Sequence, residues 1–247
     1  MIELTGISKH FGKNKAVDNI SLTVPTGELF CFLGPNGAGK TTTIKMMTSL
    51  LRPTSGTIKL HGIDISKDPI AAKKITGYIP DMPFLYDRLT TSEYFEFIGD
   101  LYAIPHDLIW QRYEELFRTF NLMDIRHHLI KDLSHGMKQR LIYAATLLHE
   151  PKILFIDEPL IGLDPYTIRL IKDLLREKAR SGTTIFLTTH ILALAQDIAD
   201  RIAIILNGKV IALGNVSQLK GMADNAKDLE DAFLKLTADD VTIEGRG

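Results

Sequence analysis

The chain has 247 residues and a formal net charge of −1, with 45% hydrophobic and 24% charged residues. A chain of this length can bury a large core and can divide into a main body and a subdomain. The balanced charge argues against a general basic surface, so we expect no nucleic-acid partner. No apolar run reaches the ~20 residues that span a bilayer, and the first residues lack the features of a signal peptide. The single cysteine, Cys31, lies in an apolar run and is expected to be a small core residue of a protein from a reducing compartment.

The first 80 residues are predicted to form an antiparallel β layer followed by a nucleotide-binding turn. Runs rich in β-forming residues at 2–4, 20–24 and 57–60 are separated by turn sequences such as Pro25-Thr26-Gly27. Residues 28–33 form an apolar run that is short and aromatic enough for a buried strand, and residues 42–47 continue as a helix.

The segment between this strand and this helix matches the P-loop pattern Gly-x-x-x-x-Gly-Lys-[Ser/Thr]. In such a turn, backbone N–H groups and the helix dipole converge on a phosphate. The glycines let the backbone approach closely, Lys40 reaches the β and γ phosphates, and the Thr41 hydroxyl ligates Mg²⁺. The alternative is a Gly-rich turn with a chance lysine, against which the flanking strand and helix argue. The predicted phosphate-binding residues are Gly34, Pro35, Asn36, Gly37, Ala38, Gly39, Lys40, Thr41 and Thr42.

Residues 84–150 have helical periodicity, and their first part is rich in aromatic residues. Ten of the 19 aromatic residues of the chain lie within residues 84–120. A few helices cannot easily bury ten large rings, so we expect some to be exposed, and exposed aromatic rings mark protein interfaces. The pair His127-His128 is expected to lie on the surface without binding a metal, because adjacent helical residues point apart.

From residue 151 onward, strands and helices alternate, which is typical of a largely parallel α/β sheet. The predicted strands are residues 152–156, 183–188 and 201–206, and the predicted helices are residues 166–180 and 191–199.

The first of these strands runs into two acidic residues, Asp157 and Glu158, at the edge where parallel sheets bind ligands. Asp157 is predicted to hold Mg²⁺, through water, and Glu158 to polarise an attacking water as a general base. The alternative is a strand that simply ends in polar residues at the surface.

Three further motifs accompany the P-loop and the acidic strand end. They are Leu133-Ser134-His135-Gly136-Met137 at the start of a helix, Gly162-Leu163-Asp164-Pro165, and Thr188-Thr189-His190. In order and approximate spacing, the whole set resembles the Walker A, signature, Walker B, D-loop and switch histidine of the nucleotide-binding subunits of ATP-binding cassette (ABC) transporters. The resemblance covers residues 2–220, which is nearly the whole chain.

The resemblance implies that ATP and Mg²⁺ are the cofactors and places three residues beyond the P-loop at the nucleotide. Phe11, with Val17 beside it, would stack on adenine, as suits a flat ring; the alternative is an aromatic packed between two edge strands. His190 would contact the γ-phosphate and sense its loss, alongside the catalytic Glu158.

The resemblance also implies that two copies share each site. The resemblance assigns to Ser134 and Gly136 a contact with the γ-phosphate of ATP held by the second copy. This role fits the expected position of Ser134 as the N-cap of a helix whose amides face the anion. Asp164 would organise the interface between the copies. The signature usually reads Leu-Ser-Gly-Gly-Gln, and here His135 and Met137 replace the first Gly and the Gln.

A third departure from the family pattern is Asp81, which stands where a Gln normally links Mg²⁺ to the transmembrane partner. A carboxylate can still bind Mg²⁺, so we expect Asp81 to join Thr41 and Asp157 as a metal ligand. Phe84 and Tyr86 lie next to Asp81 in the sequence, and we interpret them as part of a groove that receives a cytoplasmic helix of the membrane subunit.

The expected fold is α/β, a P-loop NTPase with a mainly parallel core sheet, an N-terminal antiparallel β layer and an inserted α-helical subdomain. Residues 1–237 would form a single ABC ATPase domain, with residues 1–80 and 151–220 as the nucleotide-binding core and 81–150 as the helical subdomain. Residues 238–247 would be a tail. Its Ile-Glu-Gly-Arg stretch resembles the recognition site of the protease factor Xa, so it is either an added cleavage site or an ordinary polar tail.

The departures from the family pattern at Asp81, His135 and Met137 resemble those of the ABC-2 exporter branch, and so does the C-terminal sequence. The expected function is therefore ATP hydrolysis that drives export through a separate transmembrane permease subunit, with the chain at the cytoplasmic face of the membrane. A second copy would bind head to tail around two ATP molecules. The alternatives are a soluble ABC ATPase outside transport, such as an iron–sulfur cluster assembly type, and a nucleotide sensor that does not hydrolyse ATP.

Overall fold

The computed structural model describes residues 1–82, 84–158, 160, 163–224 and 226–244, with backbone alone for residues 239–244. An antiparallel sheet forms the N-terminal layer, from strands β1 (Ile2–Phe11), β2 (Asn14–Val24), β4 (Ser55–Leu60) and β5 (Ile63–Asp64). The strand order is β2-β1-β4-β5. Every second residue in the latter half of β2 is buried, which is the pattern of a sheet with one packed face.

A six-stranded sheet forms the second layer. Its strands are β3 (Leu29–Leu33), β6 (Thr76–Ile79), β7 (Ile153–Asp157), β8 (Thr184–Thr189), β9 (Arg201–Leu206) and β10 (Lys209–Gly214). They lie in the order β10-β9-β3-β8-β7-β6, and all neighbours pair in parallel except β10 with β9. The central strands β3 and β7 are buried over their whole length, as expected for a sheet covered on both faces.

Helix α1 (Lys40–Met47) packs between the two sheets. Its Met47 belongs to the same buried apolar cluster as Phe30 and Phe32 of β3. Cys31 points to the opposite face of β3. It is buried there in a second apolar cluster, which includes residues of the helices, and its predicted place in the core is confirmed. Because both faces of β3 are packed, the strand from which the turn into α1 starts is held in a fixed position. A short helix, α2 (Pro69–Lys74), precedes β6.

The chain between β6 and β7 is mainly helical, as predicted. It contains α3 (Thr91–Leu101), α4 (His106–Thr119) and α5 (His135–Leu147), with two 3₁₀ turns at Met123–Ile125 and Ile130–Asp132. The rings of Phe95, Tyr113 and Phe117 form its centre, with centroids 4.0–5.5 Å apart. Such ring pairs add stability beyond the apolar area that they bury.

Four of the ten rings in the aromatic-rich segment are exposed, as expected. The exposed fractions are 91% for Phe84, 52% for Tyr86, 40% for Phe97 and 39% for Trp110. The rings of Tyr86 and Phe97 meet edge to face at 5.3 Å. His127 and His128 are exposed, as predicted, although they lie between the two 3₁₀ turns and not in a helix.

Four more helices complete the chain: α6 (Pro165–Arg180), α7 (Leu192–Ile198), α8 (Val216–Met222) and α9 (Leu229–Glu244). Within the described residues, no helix is both long and apolar enough to cross a membrane. The backbone of α9 continues through residues that the sequence analysis treated as a tail, while Gly245 and Arg246 of the protease-like stretch lie outside the described residues. The predicted α/β fold with its antiparallel layer and inserted helices is confirmed.

The first two strands are longer than the sequence analysis predicted. Their pairing runs as far as Phe11 with Asn14, so that only two residues form the turn between them. The pairing register shifts between Leu4 and Ile7 and again near Lys9. These irregularities break the alternation of apolar and polar residues by which a strand is recognised, so only the regular ends of the two strands were predicted.

Candidate functional site

The P-loop lies at the carboxyl end of β3 and begins helix α1. Gly39, the N-cap residue of α1, has a φ of 108°, which is a left-handed conformation that favours glycine. A Cβ on Gly39 would collide with the carbonyl oxygen of Ala16, and one on Gly34 with the carbonyl oxygen of Ile205. A Cβ on Gly37 would meet nothing within 4 Å. The loop therefore packs closely on the rest of the chain at Gly34 and Gly39. It is open at Gly37, where a phosphate can approach.

Lys40 is directed into the loop that precedes it. Its side chain is only 6% exposed, and its Nζ donates to the carbonyl oxygens of Gly34 at 2.8 Å and Pro35 at 3.1 Å. The same Nζ lies 3.4 Å from Oε1 of Glu158. A buried ammonium that contacts both the P-loop and the acidic strand end joins these two motifs into one site.

Glu158 immediately follows β7 and is held by Lys40 of α1 and by two residues at the end of β8. Its Oε1 is 3.0 Å from Nδ1 of His190, and its backbone N–H donates to the carbonyl oxygen of Thr188 at 3.1 Å. The Glu158 side chain is 10% exposed, and its Oε2 is buried with no hydrogen-bond partner among the described residues. One carboxylate oxygen is thus engaged with two basic groups, while the other can accept a proton.

The backbone of Glu158 is strained. Its φ is 50°, a left-handed conformation that costs an L-residue about 1–3 kcal/mol. The chain turns sharply here, because Asp157 still belongs to the regular strand and pairs with Thr188 of β8. Strain of this kind persists where the surroundings hold it, and it directs the Glu158 side chain towards Lys40 and His190.

The three predicted metal ligands, Thr41, Asp157 and Asp81, line a single cavity of about 610 Å³. Asp157 is 1% exposed and accepts a hydrogen bond from the hydroxyl of Thr188 at 2.5 Å, which fixes one of its oxygens. A hydroxyl and two carboxylates are hard oxygen donors, which fit Mg²⁺. Among the described residues, no three His, Cys, Asp or Glu side chains could hold a metal together. Phosphate oxygens and water would therefore have to complete the coordination shell, as is usual for Mg²⁺.

Asp81 lies in a negative environment. Partial burial and then the charges of Asp157 and Glu158 raise the pKa of the Asp81 carboxyl, while His190 opposes the shift. Burial and the charges of Asp157 and Asp81 likewise raise the pKa of the neighbouring Tyr78 to about 12, so that its hydroxyl stays protonated at neutral pH. Three carboxylates near one another favour the approach of a cation.

The signature segment begins α5 with the predicted cap. The backbone N–H of Met137 donates to Oγ of Ser134 at 3.3 Å. Ser134 is exposed, and a Cβ added to Gly136 would meet nothing within 4 Å. No hydrogen bond described for Ser134 reaches the P-loop, and Ser134 is exposed, so the helix start is accessible to a group from outside the chain.

Asp164 is the N-cap of α6, a role that the sequence analysis missed. Its carboxylate accepts from the backbone N–H of Thr167 at 3.0 Å and from the Thr167 hydroxyl at 2.7 Å, and these hydrogen bonds lower the pKa of Asp164. An Asp followed at once by a proline is typical of a helix start, so the cap could have been predicted. Gly162, the first residue of this motif, lies outside the described residues.

Phe11 and Val17 point in different directions. Phe11 ends β1 and is 50% exposed, whereas Val17 in β2 is completely buried. A Cβ built on Gly39 would lie 3.5 Å from Cγ2 of Val17. Val17 therefore supports the P-loop from behind, and Phe11 offers its ring to the solvent.

Comparison with known proteins decides the family. The family model for ABC transporters matches residues 17–161, which is more than half of the 247 residues. The chain belongs to the ABC transporter family.

Two curated relatives illustrate the range of ABC proteins that the chain resembles. The daunorubicin/doxorubicin resistance ATP-binding protein DrrA of Streptomyces peucetius is 39% identical over 89% of this chain and 66% of its own length. The ABC-type transporter ATP-binding protein EcsA of Bacillus subtilis is 32% identical over 99% of both chains. The chain thus spans just under two thirds of DrrA and nearly all of EcsA.

Solved ABC structures match the fold closely. An ATP-binding subunit of an ABC transporter is 31% identical with a TM-score of 0.91, over 96% of this chain and 99% of that one. A dimeric bacterial ABC transporter cassette is 27% identical with a TM-score of 0.79, over 87% of this chain and 98% of that one. The expected family and the expected fold are therefore confirmed.

Proposed function

We propose that this ABC chain hydrolyses ATP and that hydrolysis drives transport through a separate transmembrane subunit. The observation that carries the proposal is the position of the Glu158 carboxylate, between the P-loop Lys40 and His190 and next to Asp157 in the chain. A sensor that only binds nucleotide needs no such base. The site instead has the parts of a phosphoryl-transfer centre that works by positioning and charge.

In the proposed reaction, Glu158 accepts the proton of the attacking water. Its Oε2 is the atom suited to this, since Oε1 is engaged by His190 at 3.0 Å and faces Lys40 at 3.4 Å. Lys40 turns from the carbonyl oxygens of the loop to the β and γ phosphates. His190 is 41% exposed, so its ring can reach a γ-phosphate while it keeps Glu158 oriented.

Thr41, Asp157 and Asp81 would hold Mg²⁺, which when bound neutralises charge on the phosphates. The protein's own part is to fix these oxygens. Thr188 orients Asp157 by its hydrogen bond, and α1 presents Thr41 at its first turn. Asp81 is the weakest held of the three, because it lies in the exposed segment after β6.

A second copy, bound head to tail, would complete the site. Ser134 and Gly136 lie at an accessible helix start, where the Ser134 hydroxyl caps its own helix, and Asp164 is exposed at the start of α6. The dimeric bacterial cassette is a structural relative in which self-association is known. Hydrolysis would remove the γ-phosphate that joins the two copies, so the dimer would open.

The transmembrane partner would bind the apolar surface beside Asp81. We call this surface the coupling groove; it is lined by Leu50, Tyr78, Met82, Phe84 and Tyr94. Met82 is 83% exposed and Phe84 is 91% exposed, and adjacent exposed apolar side chains support the proposal of a protein interface here. Because the same cavity contains Thr41 and Asp157, a partner in the groove would lie next to the metal ligands. The chain would then sit at the cytoplasmic face of the membrane, held by this partner.

Export is the direction that we propose, because DrrA, a resistance protein, is a relative at 39% identity. A soluble ABC ATPase outside transport is the alternative, and the exposed coupling groove argues against it.

The groove provides the test of the transport assignment. The chain carrying Phe84→Asp should lose its association with membranes that contain the partner, while its ATP affinity is kept. Leu234→Asp is the matched control, since Leu234 is 59% exposed on α9 and far from the groove in sequence. A wild-type chain that hydrolyses ATP but is never retained by a membrane-spanning protein would favour the soluble alternative.

A further inference from the structure

Lys9 and Phe11 form a pair at the end of β1. They are two residues apart, so their side chains point to the same face of the strand. Nζ of Lys9 lies 5.3 Å from the centroid of the Phe11 ring, within the distance of a cation–π interaction. The same Nζ donates to the carbonyl oxygen of Arg52 at 2.8 Å. The ammonium is therefore held by the segment before β4 and covers one side of the ring.

The end of β1 needs such support. The pairing of β1 with β2 is irregular on both sides of Lys9, and Gly12 follows Phe11 with a φ of 60°. Half of the Phe11 side chain is exposed, so the core does not determine the direction of its ring. Without the Lys9 contact, the Phe11 ring would populate several rotamers. Stacking on a ligand would then cost the conformational entropy of fixing one of them.

We propose that Lys9 is a positioning residue that holds the Phe11 ring ready to stack on the adenine of ATP. The inference rests on the proposed function, because it assumes that the chain binds ATP and that Phe11 stacks on the base, as the resemblance to ABC ATPases implies. Lys9 covers one face of the ring and leaves the other for adenine. An exposed cation–π contact is worth about a two- to fivefold change in an equilibrium constant. Lys9 thus affects the affinity for the base and leaves the chemistry at the γ-phosphate untouched.

The test compares Lys9→Met with Lys9→Arg and with Lys13→Met. Lys13 is an exposed lysine in the same hairpin turn and serves as the control for loss of a positive charge. Lys9→Met should raise the KM for ATP about two- to fivefold with kcat unchanged. Lys9→Arg should restore the wild-type KM, because a guanidinium also stacks on aromatic rings. Lys13→Met should match the wild type.

Inorganic tripolyphosphate separates positioning of the base from a structural role. It has phosphates but no adenine, so its inhibition constant against ATP hydrolysis should be the same in Lys9→Met and wild type. An equal loss of affinity for tripolyphosphate and ATP would mean that Lys9 only ties β1 to the chain before β4, and the proposal would be wrong.

A Phe11→Leu background distinguishes the failure of this inference from that of the function on which it rests. Phe11→Leu alone should weaken ATP binding, and adding Lys9→Met should then have no further effect. If Phe11→Leu binds ATP like the wild type, the stacking role of Phe11 itself is refuted. If Phe11→Leu weakens binding and Lys9→Met does not, only the role of Lys9 is refuted.

Discussion

Oε1 of Glu158 lies 3.0 Å from Nδ1 of His190, although the two residues belong to different strand ends and lie 32 positions apart in the sequence. The contact exists because β7 and β8 are parallel neighbours, so the residues that follow them meet at one edge of the sheet. The left-handed backbone of Glu158 turns its side chain into this contact. The proposed base and the proposed sensing histidine are therefore linked through one carboxylate oxygen.

The first prediction concerns the base. Glu158→Gln keeps the shape of the side chain and one acceptor oxygen but cannot accept the proton of water. Hydrolysis should fall by at least the ~10²-fold that loss of a general base causes, while ATP binding persists and dimers accumulate. Phosphate release and size-exclusion chromatography with ATP measure the two effects. Glu114→Gln, a substitution on the exposed side of α4, is the control. Near-normal turnover in Glu158→Gln would exclude Glu158 as the base.

The second prediction concerns Asp81 and Mg²⁺. If Asp81 completes the metal shell, Asp81→Ala should raise the Mg²⁺ concentration needed for half-maximal ATPase activity, with less effect on the maximal rate at saturating Mg²⁺. The measurement is a Mg²⁺ titration at fixed ATP. An unchanged Mg²⁺ requirement would leave Thr41 and Asp157 as the only protein ligands.

The third prediction concerns the pH dependence of stability. Burial and the charges of Asp157 and Glu158 raise the pKa of Asp81 in the folded chain above its ordinary value of 3.8. The fold therefore favours protonated Asp81, and this favourable effect is lost as the pH rises through the raised pKa. In metal-free protein, Asp81→Asn should be more stable than wild type at pH 7, by less than about 1 kcal/mol because the carboxylate is largely exposed.

Thermal unfolding at several pH values checks this sign. The difference between Asp81→Asn and wild type should vanish at pH values below 3.8 and grow to a plateau above the raised pKa. Added Mg²⁺ and nucleotide should reverse the order, because they stabilise the ionised carboxylate of the wild type. A variant less stable than wild type at pH 7 without metal would contradict the electrostatic account.

The fourth prediction concerns Gly136. A Cβ at this position meets nothing within 4 Å, and alanine favours a helix more than glycine does, so Gly136→Ala should keep or slightly raise the melting temperature. If Gly136 contacts the γ-phosphate held by a second copy, the ATPase rate should fall about tenfold, which corresponds to about 1.4 kcal/mol of lost transition-state contact. Gly77→Ala is a useful contrast, because its Cβ would lie 2.6 Å from the side chain of Thr146 and should lower the melting temperature. A fully active Gly136→Ala would place the phosphate elsewhere.

The short motifs that bind phosphate and metal could be predicted from the sequence. The contacts between the side chains of different motifs could not. The P-loop and the Asp157-Glu158 pair each follow a strong apolar run, so both were predicted with their elements. The contact of Lys40 with Glu158 depends on the sheet order, which a single sequence does not contain.

The strain at Glu158 and the pairing of Lys9 with Phe11 were missed for a related reason. Glutamate has no preference for a left-handed backbone, so the φ of 50° follows from tertiary packing and not from local propensity. The irregular register of β1 hid the length of the strand and therefore the fact that Lys9 and Phe11 share a face. Local sequence patterns therefore identify candidate site residues, while the pairing of distant strands determines which side chains those residues contact.

The measurement that tests the central claim most directly is the specific ATPase activity of the purified chain as a function of its concentration. If Ser134 and Gly136 of one copy complete the site of another, only dimers hydrolyse ATP. Phosphate release per chain should then rise with protein concentration and level off above the dimer dissociation constant, as mass action requires. Sedimentation under the same conditions should show dimers appearing over the same range. A constant specific activity over that range, from a chain that sediments as a monomer, would contradict the shared ATP site.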